Sequence, residues 1–386
     1  MTGRIIPRGE NKWQIRLDFG RDETGKRIQT TETVNGGIRA AQRRLNELLA
    51  EHKDGPKAAP QRQTVAEYLD YWLERGAKPS VSPRTLEGYA SIIRTHVAPK
   101  LGAIQLSKLT PIHIQNYEAN LLVEGRIRDG RGLSPQTVLH HHRLLFVAMK
   151  QAVAWRLLDR NPVEGVKAPS VERDDRPILE DDGVMVLLRH LAPTRFFVPA
   201  LVTLATGIRR GELLALHWAE VDMEKRKLEI RYSLEQTKAG LRFKTPKTKK
   251  SRRAIYFPPI VLEALKKHQA QQREFQRQLG PAWVDHDLVF PYTQGQPWVP
   301  GEFSNIFSDL RRQVNVPTTY HDLRHSVASQ LLRDGVHLKV VSDLLGHSSV
   351  VMTGDLYSHV TDQGRDQISE HTERSLRRAL EDNPEG

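Results

Sequence analysis

The pattern of hydrophobic and polar positions divides the chain into a short β-rich start and a longer, mainly helical remainder. Apolar and polar residues alternate from Lys12 to Phe19, which predicts a strand with one buried face. A Thr-rich strand from Arg27 to Val34 and a helix from Ile38 to His52 follow. Residues 1–55 therefore predict a small three-stranded sheet packed against one helix.

Helical spacing of apolar residues dominates the next segment, which begins after a linker at residues 56–63 that has no periodicity. Thr64 and Ser82 each precede apolar residues spaced three and four apart, as the N-cap residue of a helix does. Further helices are predicted over two ranges, Pro111–Glu124 and Ser134–Leu158. Residues 64–170 therefore predict an all-helical domain of four or five helices.

Residues 171–386 predict a mainly helical third domain that short strands interrupt. A helix from Phe196 to Leu204 ends near Gly207, and a helix from Arg210 to Trp218 is predicted to follow. Strands are expected over three ranges, Leu228–Leu234, Arg252–Phe257 and Leu288–Phe290. The first two bound a basic β-hairpin, because six of the ten residues from Lys244 to Arg253 are Lys or Arg. The whole chain is thus predicted to be mainly α, of the α+β class, with three domains.

The stretch from Thr319 to Val360 concentrates polar side chains on helices whose other faces are apolar. His321 and Arg324 are three residues apart, so a helix would place them on one face. The opposite, core-facing side is predicted to carry Leu323, Val327 and Leu331.

A second apolar stripe in this stretch consists of Val340, Val341, Leu344 and Leu345. Gly346 follows it, and a glycine in that place ends a helix. His347 then lies just past the helix end, and a further helix is predicted to carry Tyr357. The stretch therefore predicts a scaffold that holds a histidine, an arginine, a second histidine and a tyrosine around one point.

The composition indicates a polyanionic partner. Lys plus Arg number 58 against 46 Asp plus Glu, which gives a net charge of +12 and a pI near 9.8. The sequence has no cysteine and no run of eighteen apolar residues, so it predicts neither disulfides nor a membrane-spanning helix. We expect a soluble, intracellular protein directed at nucleic acid.

Two patterns suggest sites that the residue chemistry does not support. Gly20 to Lys26 has the spacing of a phosphate-binding loop, but Arg27 stands where Ser or Thr is needed, and a strand follows instead of a helix. His140, His141 and His142 suggest a metal site, but consecutive helical residues point about 100° apart and cannot converge on one ion. We expect these histidines to face solvent or DNA.

Six polar residues are the candidates for chemistry: Arg209, Lys247, His321, Arg324, His347 and Tyr357. Two arginines can clamp a phosphate, and two histidines can move protons or donate hydrogen bonds near neutral pH. A lysine can protonate a leaving oxygen, and a tyrosine can attack as a nucleophile. No pair of carboxylates has the spacing of a metal site, so the set predicts transfer of a phosphodiester to tyrosine without metal or cofactor.

Five strings, in order along the chain, resemble the tyrosine recombinase, or phage integrase, family: ATGIRRGELLAL, TPKTKKSRRAI, HDLRH, LLGHSS and DLYSHV. The resemblance covers the whole chain and indicates an integrase of a phage or integrative conjugative element. It implies an arm-site DNA-binding domain at 1–55, a core-site DNA-binding domain at 64–170 and a catalytic domain at 171–386.

The resemblance also implies a role for each candidate. Arg209 and Arg324 would hold the non-bridging oxygens of the scissile phosphate, and His347 would donate a hydrogen bond to it. Lys247 would be the general acid for the 5′-oxygen, and His321 would assist proton transfer. Tyr357 would attack the phosphorus, giving a 3′-phosphotyrosyl link and a free 5′-hydroxyl, so that rejoining needs neither ATP nor metal.

Several alternatives stay open. Lys249 or Lys250 could be the general acid in place of Lys247, because the length of this hairpin varies in the family. Asp322 and Glu212 are predicted to orient the arginines. The alternative functions are a type IB topoisomerase, which shares this chemistry but relaxes supercoils, and a DNA-binding relative without catalysis.

The expected partner is double-stranded DNA with core and arm attachment sites, bound by a homotetramer. A directionality factor and a DNA-bending protein are further expected partners, and no membrane partner is expected. A C-terminal helix from Gln367 to Leu380 is predicted to dock on a neighbouring subunit. The expected location is the cytoplasm of a bacterial host, at the nucleoid, and cleavage in cis and in trans both stay open.

Overall fold

The computed structural model describes residues 2–21, 27–51, 63–171, 178–245 and 252–346. The chain divides into two compact units with the boundary between Glu172 and Arg173. A further division of the first unit at the linker 56–63 stays a prediction. The features outside the described residues are most of that linker, the helix predicted to carry Tyr357 and the helix predicted from Gln367 to Leu380.

The N-terminal part is a three-stranded antiparallel sheet with one helix, as predicted. Its elements are β1 (Thr2–Gly9), β2 (Lys12–Arg21), β3 (Arg27–Asn35) and α1 (Ile38–Glu51), with β2 as the middle strand. Ile15 and Leu17 on β2 are fully buried and form a small core with Leu45 and Leu48 of α1. Alternation on β2 therefore separates a face covered by α1 from a polar face.

The helical part of the first unit begins where the sequence predicts. Thr64 caps the first helix in a reciprocal capping box with Glu67, which satisfies two backbone amides at the helix start. Four of its side chains, Val65, Tyr68, Leu69 and Trp72, are buried. The helices are α2 (Val65–Trp72), continued by a π-helical turn (Leu73–Ala77), α3 (Pro83–Ile92), continued by a second π-helical turn (Ile93–Val97), α4 (Ala98–Leu101), α5 (Pro111–Glu124) and α6 (Pro135–Ala154).

The prediction that three consecutive histidines face solvent or DNA is wrong for two of them. His140 is exposed, but His141 and His142 are 1% and 8% exposed and bind partners on α5. The Tyr117 hydroxyl lies 2.7 Å from His141 Nδ1, and a Glu118 carboxylate oxygen lies 2.9 Å from His142 Nδ1. These polar partners, 24 positions earlier in the sequence, allow imidazole rings to be buried between two helices.

Over its described residues, 178–245 and 252–346, the second unit is mainly helical, with three short strand pairings. Its core joins the α8 region to α11 and α12 through aromatic rings that meet at tilted and edge-on angles, those of Phe196, Phe303, Phe307 and Tyr320. The helices are α7 (Asp181–Leu191), α8 (Phe197–Thr206), α9 (Arg210–Leu213), α10 (Pro259–Leu279), α11 (Pro300–Gln313), α12 (Tyr320–Arg333) and α13 (Leu338–Leu345). The strands are β4 (Val221–Asp222), β5 (Lys227–Ile230), β6 (Ser233–Thr237), β7 (Gly240–Lys244) and β8 (Arg253–Tyr256).

The strand predicted from Leu228 to Leu234 is wrong as a single element. It is split into β5, which pairs with β4 and β8, and β6, which forms a separate hairpin with β7. Tyr232 explains the break, since an unbroken alternation with the buried Leu228 and Leu234 would bury its side chain, yet it is 38% exposed. The return strand β8 therefore pairs with β5 and not with the strand that enters the basic segment.

The helix predicted from Arg210 to Trp218 is also wrong in length, because α9 is a single turn. After it the backbone extends and bonds to a distant segment: the Trp218 amide donates to Asp287 O, and the Val289 amide donates to Leu216 O. The range Leu288–Phe290 is buried as predicted, but its strand is reduced to one bridge between Leu288 and His217. Tertiary hydrogen bonds thus override local helix propensity here.

Among the residues that the structure describes, no helix has both the length and the apolar character that crossing a membrane would require.

Candidate active site

Gly207 brings the first candidate arginine into position. It ends α8 with φ 62° and ψ 22°, a left-handed conformation that glycine adopts without steric cost. A side chain there would collide with α13, because an added Cβ would lie 2.9 Å from Leu345 Cδ2. Two residues later Arg209 is the N-cap residue of α9, at the break between the two helices.

Arg209 is held at both ends of its guanidinium group. Nη1 donates to Glu212 Oε1 over 2.9 Å, and Nη2 donates to the main-chain oxygen of Gly346 over 2.9 Å. The other oxygen of Glu212 accepts the backbone amide of Arg209 at 3.1 Å. The side chain of Arg209 stays one-third exposed, so it is both fixed and reachable from solvent.

Arg324 lies on α12, whose start is fixed by a capping box between Thr319 and Asp322. The Asp322 carboxylate accepts hydrogen bonds from the amide and the hydroxyl of Thr319, at 2.8 and 2.7 Å. Arg324 is buried, and its guanidinium donates to the main-chain oxygens of Gly207 (2.5 Å) and Leu345 (2.7 Å). It therefore joins the end of α8 to the end of α13.

His321 belongs to the same helix as Arg324 but to a different environment. His321 is exposed, and its ring lies edge-on to the ring of His325, with 4.8 Å between the ring centroids. Of the three residues of this helix that are predicted to face the core, Leu323 is fully buried, and Val327 and Leu331 are half-buried.

Arg253, at the start of β8, was not among the predicted site residues. Its Nε donates to the main-chain oxygen of Leu344 over 2.7 Å, and its two other nitrogens donate to the Glu212 carboxylate over 3.2 and 2.9 Å. The sequence did carry a signal, because Arg253 alternates with the buried Ile255 and Phe257 and so stands on the core face of a strand. Within a run of lysines and arginines that position was not distinguished.

The end of α13 is where the three arginines meet. Arg253, Arg324 and Arg209 donate to the carbonyl oxygens of three consecutive residues, Leu344, Leu345 and Gly346. The last carbonyls of a helix have no intrahelical partner and carry its negative dipole end, so cations are stabilising there. Gly346 turns the chain with φ 63°.

The stripe predicted on α13 is only partly buried. Val341 and Leu345 are fully buried, but Val340 is 58% exposed, which corrects its predicted inward position. The helix has eight residues and packs by one side on α12, and adjacent helical positions diverge by about 100°.

Glu212 is the acidic centre of this cluster. Burial by itself raises the pKa of Glu212, but the hydrogen bonds and charge of Arg253, together with those of Arg209, hold it below its usual value of 4.5. The carboxylate is therefore ionised at neutral pH. Among the described residues that bond at this point, three guanidinium groups stand against the one carboxylate of Glu212, and this positive excess suits a bound phosphate.

Three of the six candidates can thus be located, and the structure brings Arg209 and Arg324 together at the end of α13. Lys247, with its alternatives Lys249 and Lys250, and also His347 and Tyr357 lie outside the described residues. In the described ranges, no cluster of three metal-ligating side chains occurs.

The sequence matches two family models. The model described as the phage integrase family matches residues 189–364, and the model described as the N-terminal SAM-like domain of phage integrases matches residues 64–122. The first contains the elements that carry Arg209, Glu212, Arg253 and Arg324, and the second begins at the helix cap Thr64.

Known proteins resemble the chain over most of its length. A XerC-like tyrosine recombinase of Caldanaerobacter subterraneus subsp. tengcongensis is 27% identical over 375 residues, which cover 92% of this chain and 94% of that protein. The integrase of transposon Tn1549, solved with a circular intermediate DNA, has a TM-score of 0.68 at 20% identity and covers 80% of this chain and 99% of that one. The lambda integrase tetramer bound to a Holliday junction has a TM-score of 0.57 at 21% identity, covering 91% of this chain and 94% of that one. The solved structures show the same fold, and the two family matches, with the recombinase that is similar over most of its length, show that the chain belongs to the phage integrase family of tyrosine recombinases.

Proposed function

We propose that this protein is a site-specific DNA recombinase that integrates and excises a mobile element. The observation that carries the proposal is the convergence of Arg209 and Arg324, from different helices, on the neighbouring carbonyl oxygens of Gly346 and Leu345. The next residue in the sequence is His347, the third phosphate-binding candidate. Fixed cations at one point are what a metal-free phosphoryl transfer needs, because they stabilise charge without reorganising during the reaction.

The proposed reaction exchanges one phosphodiester for another. The phenol oxygen of Tyr357 forms a bond to phosphorus while the bond to the 5′-oxygen breaks, and Arg209, Arg324 and His347 stabilise the charge on the non-bridging oxygens. The phenolic proton leaves with the help of His321, and the departing 5′-oxygen takes a proton from Lys247, or from Lys249 or Lys250. The 3′-phosphotyrosyl bond preserves the ester, so a 5′-hydroxyl from another strand can reverse the step and complete the exchange.

The phenol of tyrosine has an ordinary pKa of about 10, so it needs cationic neighbours to react near neutral pH. The excess of positive charge at the end of α13 supports Tyr357 as the nucleophile, because nearby cations favour the reactive phenolate. Family membership supports the same chemistry, since tyrosine recombinases are named for their nucleophile.

The N-terminal sheet supports a second contact with DNA, at arm-type sites. Arg4 on β1, Arg16 on β2 and Thr31 on β3 are direct register partners on the face away from α1. The Arg16 Nε is buried and has no hydrogen-bond partner among the described residues. A row of donors on a sheet can read base edges in a major groove.

The helical segment at 64–170 is proposed to contact the core-type site, and the active assembly is proposed to be a homotetramer on DNA. The lambda integrase tetramer on a Holliday junction supports this assembly. A directionality factor and a DNA-bending protein complete the proposed set of partners. The proposed location is the cytoplasm of a bacterial host, at the nucleoid.

The proposal is tested by trapping the covalent intermediate. The protein first selects its preferred duplex from a pool of random sequences, and that duplex is then labelled and nicked beside the cleavage position, so that the released fragment diffuses away. We expect a protein–DNA adduct that is stable to denaturation, forms in the presence of a chelator, and is lost in Tyr357→Phe. No adduct with the wild-type protein would contradict the proposal and favour a DNA-binding relative without catalysis.

The same preparation separates recombinase from topoisomerase. Two labelled attachment duplexes should yield recombinant products, and a supercoiled plasmid without the selected site should stay supercoiled. Relaxation of any plasmid, with an adduct but no exchange, would favour the type IB topoisomerase.

A further inference from the structure

We propose that Arg253 is a positioning residue for DNA cleavage: through Glu212 it fixes the guanidinium of Arg209, and through Leu344 it fixes the end of α13. The inference rests on the proposed function, because it assigns Arg209 to the scissile phosphate. It adds a residue that acts on the reaction without touching the DNA.

The contact between Arg253 and Glu212 is a buried, bidentate ion pair. Nη2 to Oε2 measures 2.9 Å and Nη1 to Oε1 measures 3.2 Å, and the two side chains are 7% and 4% exposed. A planar guanidinium matches a carboxylate in this way, and lysine cannot, because its ammonium is a single point charge. The pair therefore fixes the orientation of the carboxylate as well as its charge.

The oriented carboxylate in turn fixes Arg209. Oε1 of Glu212 accepts hydrogen bonds from both Arg253 and Arg209, and Oε2 accepts one from Arg253 and one from the Arg209 backbone amide. Each oxygen is thus shared by the two arginines. If Arg253 were lost, the carboxylate could rotate and the Arg209 guanidinium would lose its fixed direction.

Arg253 also holds the helix end that Arg209 touches. Its Nε donates to Leu344 O, and its side chain packs so closely on Gly346 that an added Cβ there would lie 2.9 Å from Nη1. Arg209 binds the carbonyl of the same Gly346. One side chain therefore contacts both partners of Arg209, the carboxylate and the helix end.

The geometry makes Arg253 unsuited to binding the phosphate itself. Its Nε and both Nη atoms already donate to protein oxygens, and its side chain is 7% exposed, whereas the side chain of Arg209 is 33% exposed. Its effect on the reaction therefore passes through Arg209.

The experiment compares Arg253→Lys with the wild-type protein on the nicked duplex described above. We expect the single-turnover rate of adduct formation to fall about a hundredfold, as for a reacting group displaced by about 1 Å. The dissociation constant for the same DNA should stay unchanged. Arg277→Gln is the matched control, because Arg277 also pairs with a glutamate, Glu274, but on the exposed surface of α10; its cleavage rate should equal that of the wild-type protein.

A double-mutant cycle distinguishes positioning from general destabilisation. If Arg253 acts through Arg209, then Arg209→Lys combined with Arg253→Lys should cleave no more slowly than Arg209→Lys alone. Multiplied defects in the double variant, or an unchanged rate in Arg253→Lys, would overturn the inference while wild-type cleavage still supports the proposed function. Absence of any wild-type adduct would overturn both.

A second variant covers the case in which Arg253→Lys does not fold. Glu212→Gln with Arg253→Met removes both buried charges together, an exchange that proteins commonly tolerate. We expect this variant to keep the helical circular dichroism and DNA affinity of the wild-type protein and to cleave about a hundredfold more slowly. Folding with a normal cleavage rate would overturn the inference.

Discussion

Arg324 and Gly207 are joined by a hydrogen bond of 2.5 Å, from the buried guanidinium Nη1 to the main-chain oxygen at the end of α8. The oxygen is presented there because Gly207 takes the left-handed conformation, and that conformation also brings Leu345 close. The left-handed turn at Gly207 thus helps to position two arginines. Arg324 donates to its main-chain oxygen, and Arg209 follows it in the chain by two residues.

The first prediction concerns this glycine. Gly207→Ala should lower the free energy of unfolding by at least about 1–2 kcal/mol, the cost of left-handed backbone for a residue with a Cβ. The new Cβ would also displace Leu345, which lies at the helix end that Arg324 binds. The rate of adduct formation should therefore fall by more than the loss of folded protein accounts for. Denaturant unfolding and single-turnover cleavage measure the two effects.

Gly335→Ala is the control for backbone strain alone. Gly335 also has a positive φ, 80°, but an added Cβ there would meet nothing within 4 Å. It should lose stability and retain cleavage, whereas equal loss of cleavage in both variants would contradict a specific role for the Gly207 geometry.

The second prediction concerns acid. Burial raises the pKa of Glu212, but Arg253 and then Arg209 together lower it by more than burial raises it. The pKa in the folded protein therefore lies below the ordinary 4.5. Such a group stabilises the fold above pH 4.5, and the contribution is lost as the pH falls through the folded pKa. Glu212→Gln should therefore cost about 3–5 kcal/mol at neutral pH and show a weaker loss of stability in acid.

Urea unfolding of the wild-type protein and the variant, measured between about pH 7 and pH 3, checks this prediction. The control is Glu274→Gln, which breaks an exposed pair with Arg277 and should cost less than about 1 kcal/mol. Parallel pH curves for Glu212→Gln and the wild-type protein would be the contrary result.

The third prediction concerns the buried histidine on α6. Burial, and then the charges of His96 and His140, lower the pKa of His141 to about 4. Since the unfolded value is about 6.5, the unfolded chain binds the proton first, and stability should fall by about 3 kcal/mol from pH 6.5 to pH 4. The protection factors of amides in α5 and α6 against hydrogen exchange, which are corrected for the intrinsic effect of pH, should fall over this range.

His141→Gln removes the titrating group, and its protection factors should depend less on pH over the same range. The variant should be less stable than the wild-type protein at pH 7, because the buried Tyr117 hydroxyl loses its partner at a cost of about 1–3 kcal/mol. His140→Gln, on the exposed neighbour, removes only the smallest of these effects on His141 and should keep most of the wild-type pH response; an identical pH response in all three proteins would argue against His141.

The fourth prediction concerns the N-terminal sheet. Arg4 and Arg16 face each other on adjacent strands, and like charges placed so are unfavourable unless an anion binds between them. The double change Arg4→Gln with Arg16→Gln should leave unfolding unchanged or slightly improve it, yet weaken arm-type DNA binding. The slope of log affinity against log salt should fall by about 1 for each arginine.

Arg44→Gln is a suitable control, since Arg44 pairs with Glu32 and Glu47 and belongs to α1, on the other side of the sheet. It should keep the salt slope of the wild-type protein. A double variant with unchanged slope would mean that the polar sheet face does not contact phosphate.

Local patterns explain what the sequence predicted correctly. The helix that follows Thr64 could be predicted because its cap and the spacing of its apolar residues lie within one short stretch. The bounds of α5, Pro111–Glu124, agree with the prediction for the same reason, with Pro at the first position.

Partners distant in sequence explain what could not be predicted. The burial of His141 depends on Tyr117, which lies on another helix, and the shortness of α9 depends on hydrogen bonds to the segment around Asp287. Arg253 is the clearest case: it is the last residue of a basic segment of the sequence, while its partners are Glu212, 41 positions earlier, and Leu344, 91 positions later. The sequence indicated which residue types form the site, but the contacts that orient them join residues far apart in the chain and could not be predicted from it.

The carbonyl groups at the end of α13 become available late in the synthesis of the chain. They are synthesised after all three arginines that bind them, and Arg209 reaches Gly346 across 137 positions of the chain. A ribosome-bound chain that has not yet emerged beyond α12 contains Glu212, which bonds Arg209 and Arg253, but lacks the three carbonyl oxygens on which these two arginines converge with Arg324. The convergence of the three arginines therefore cannot be completed until α13 has been synthesised and has packed on α12.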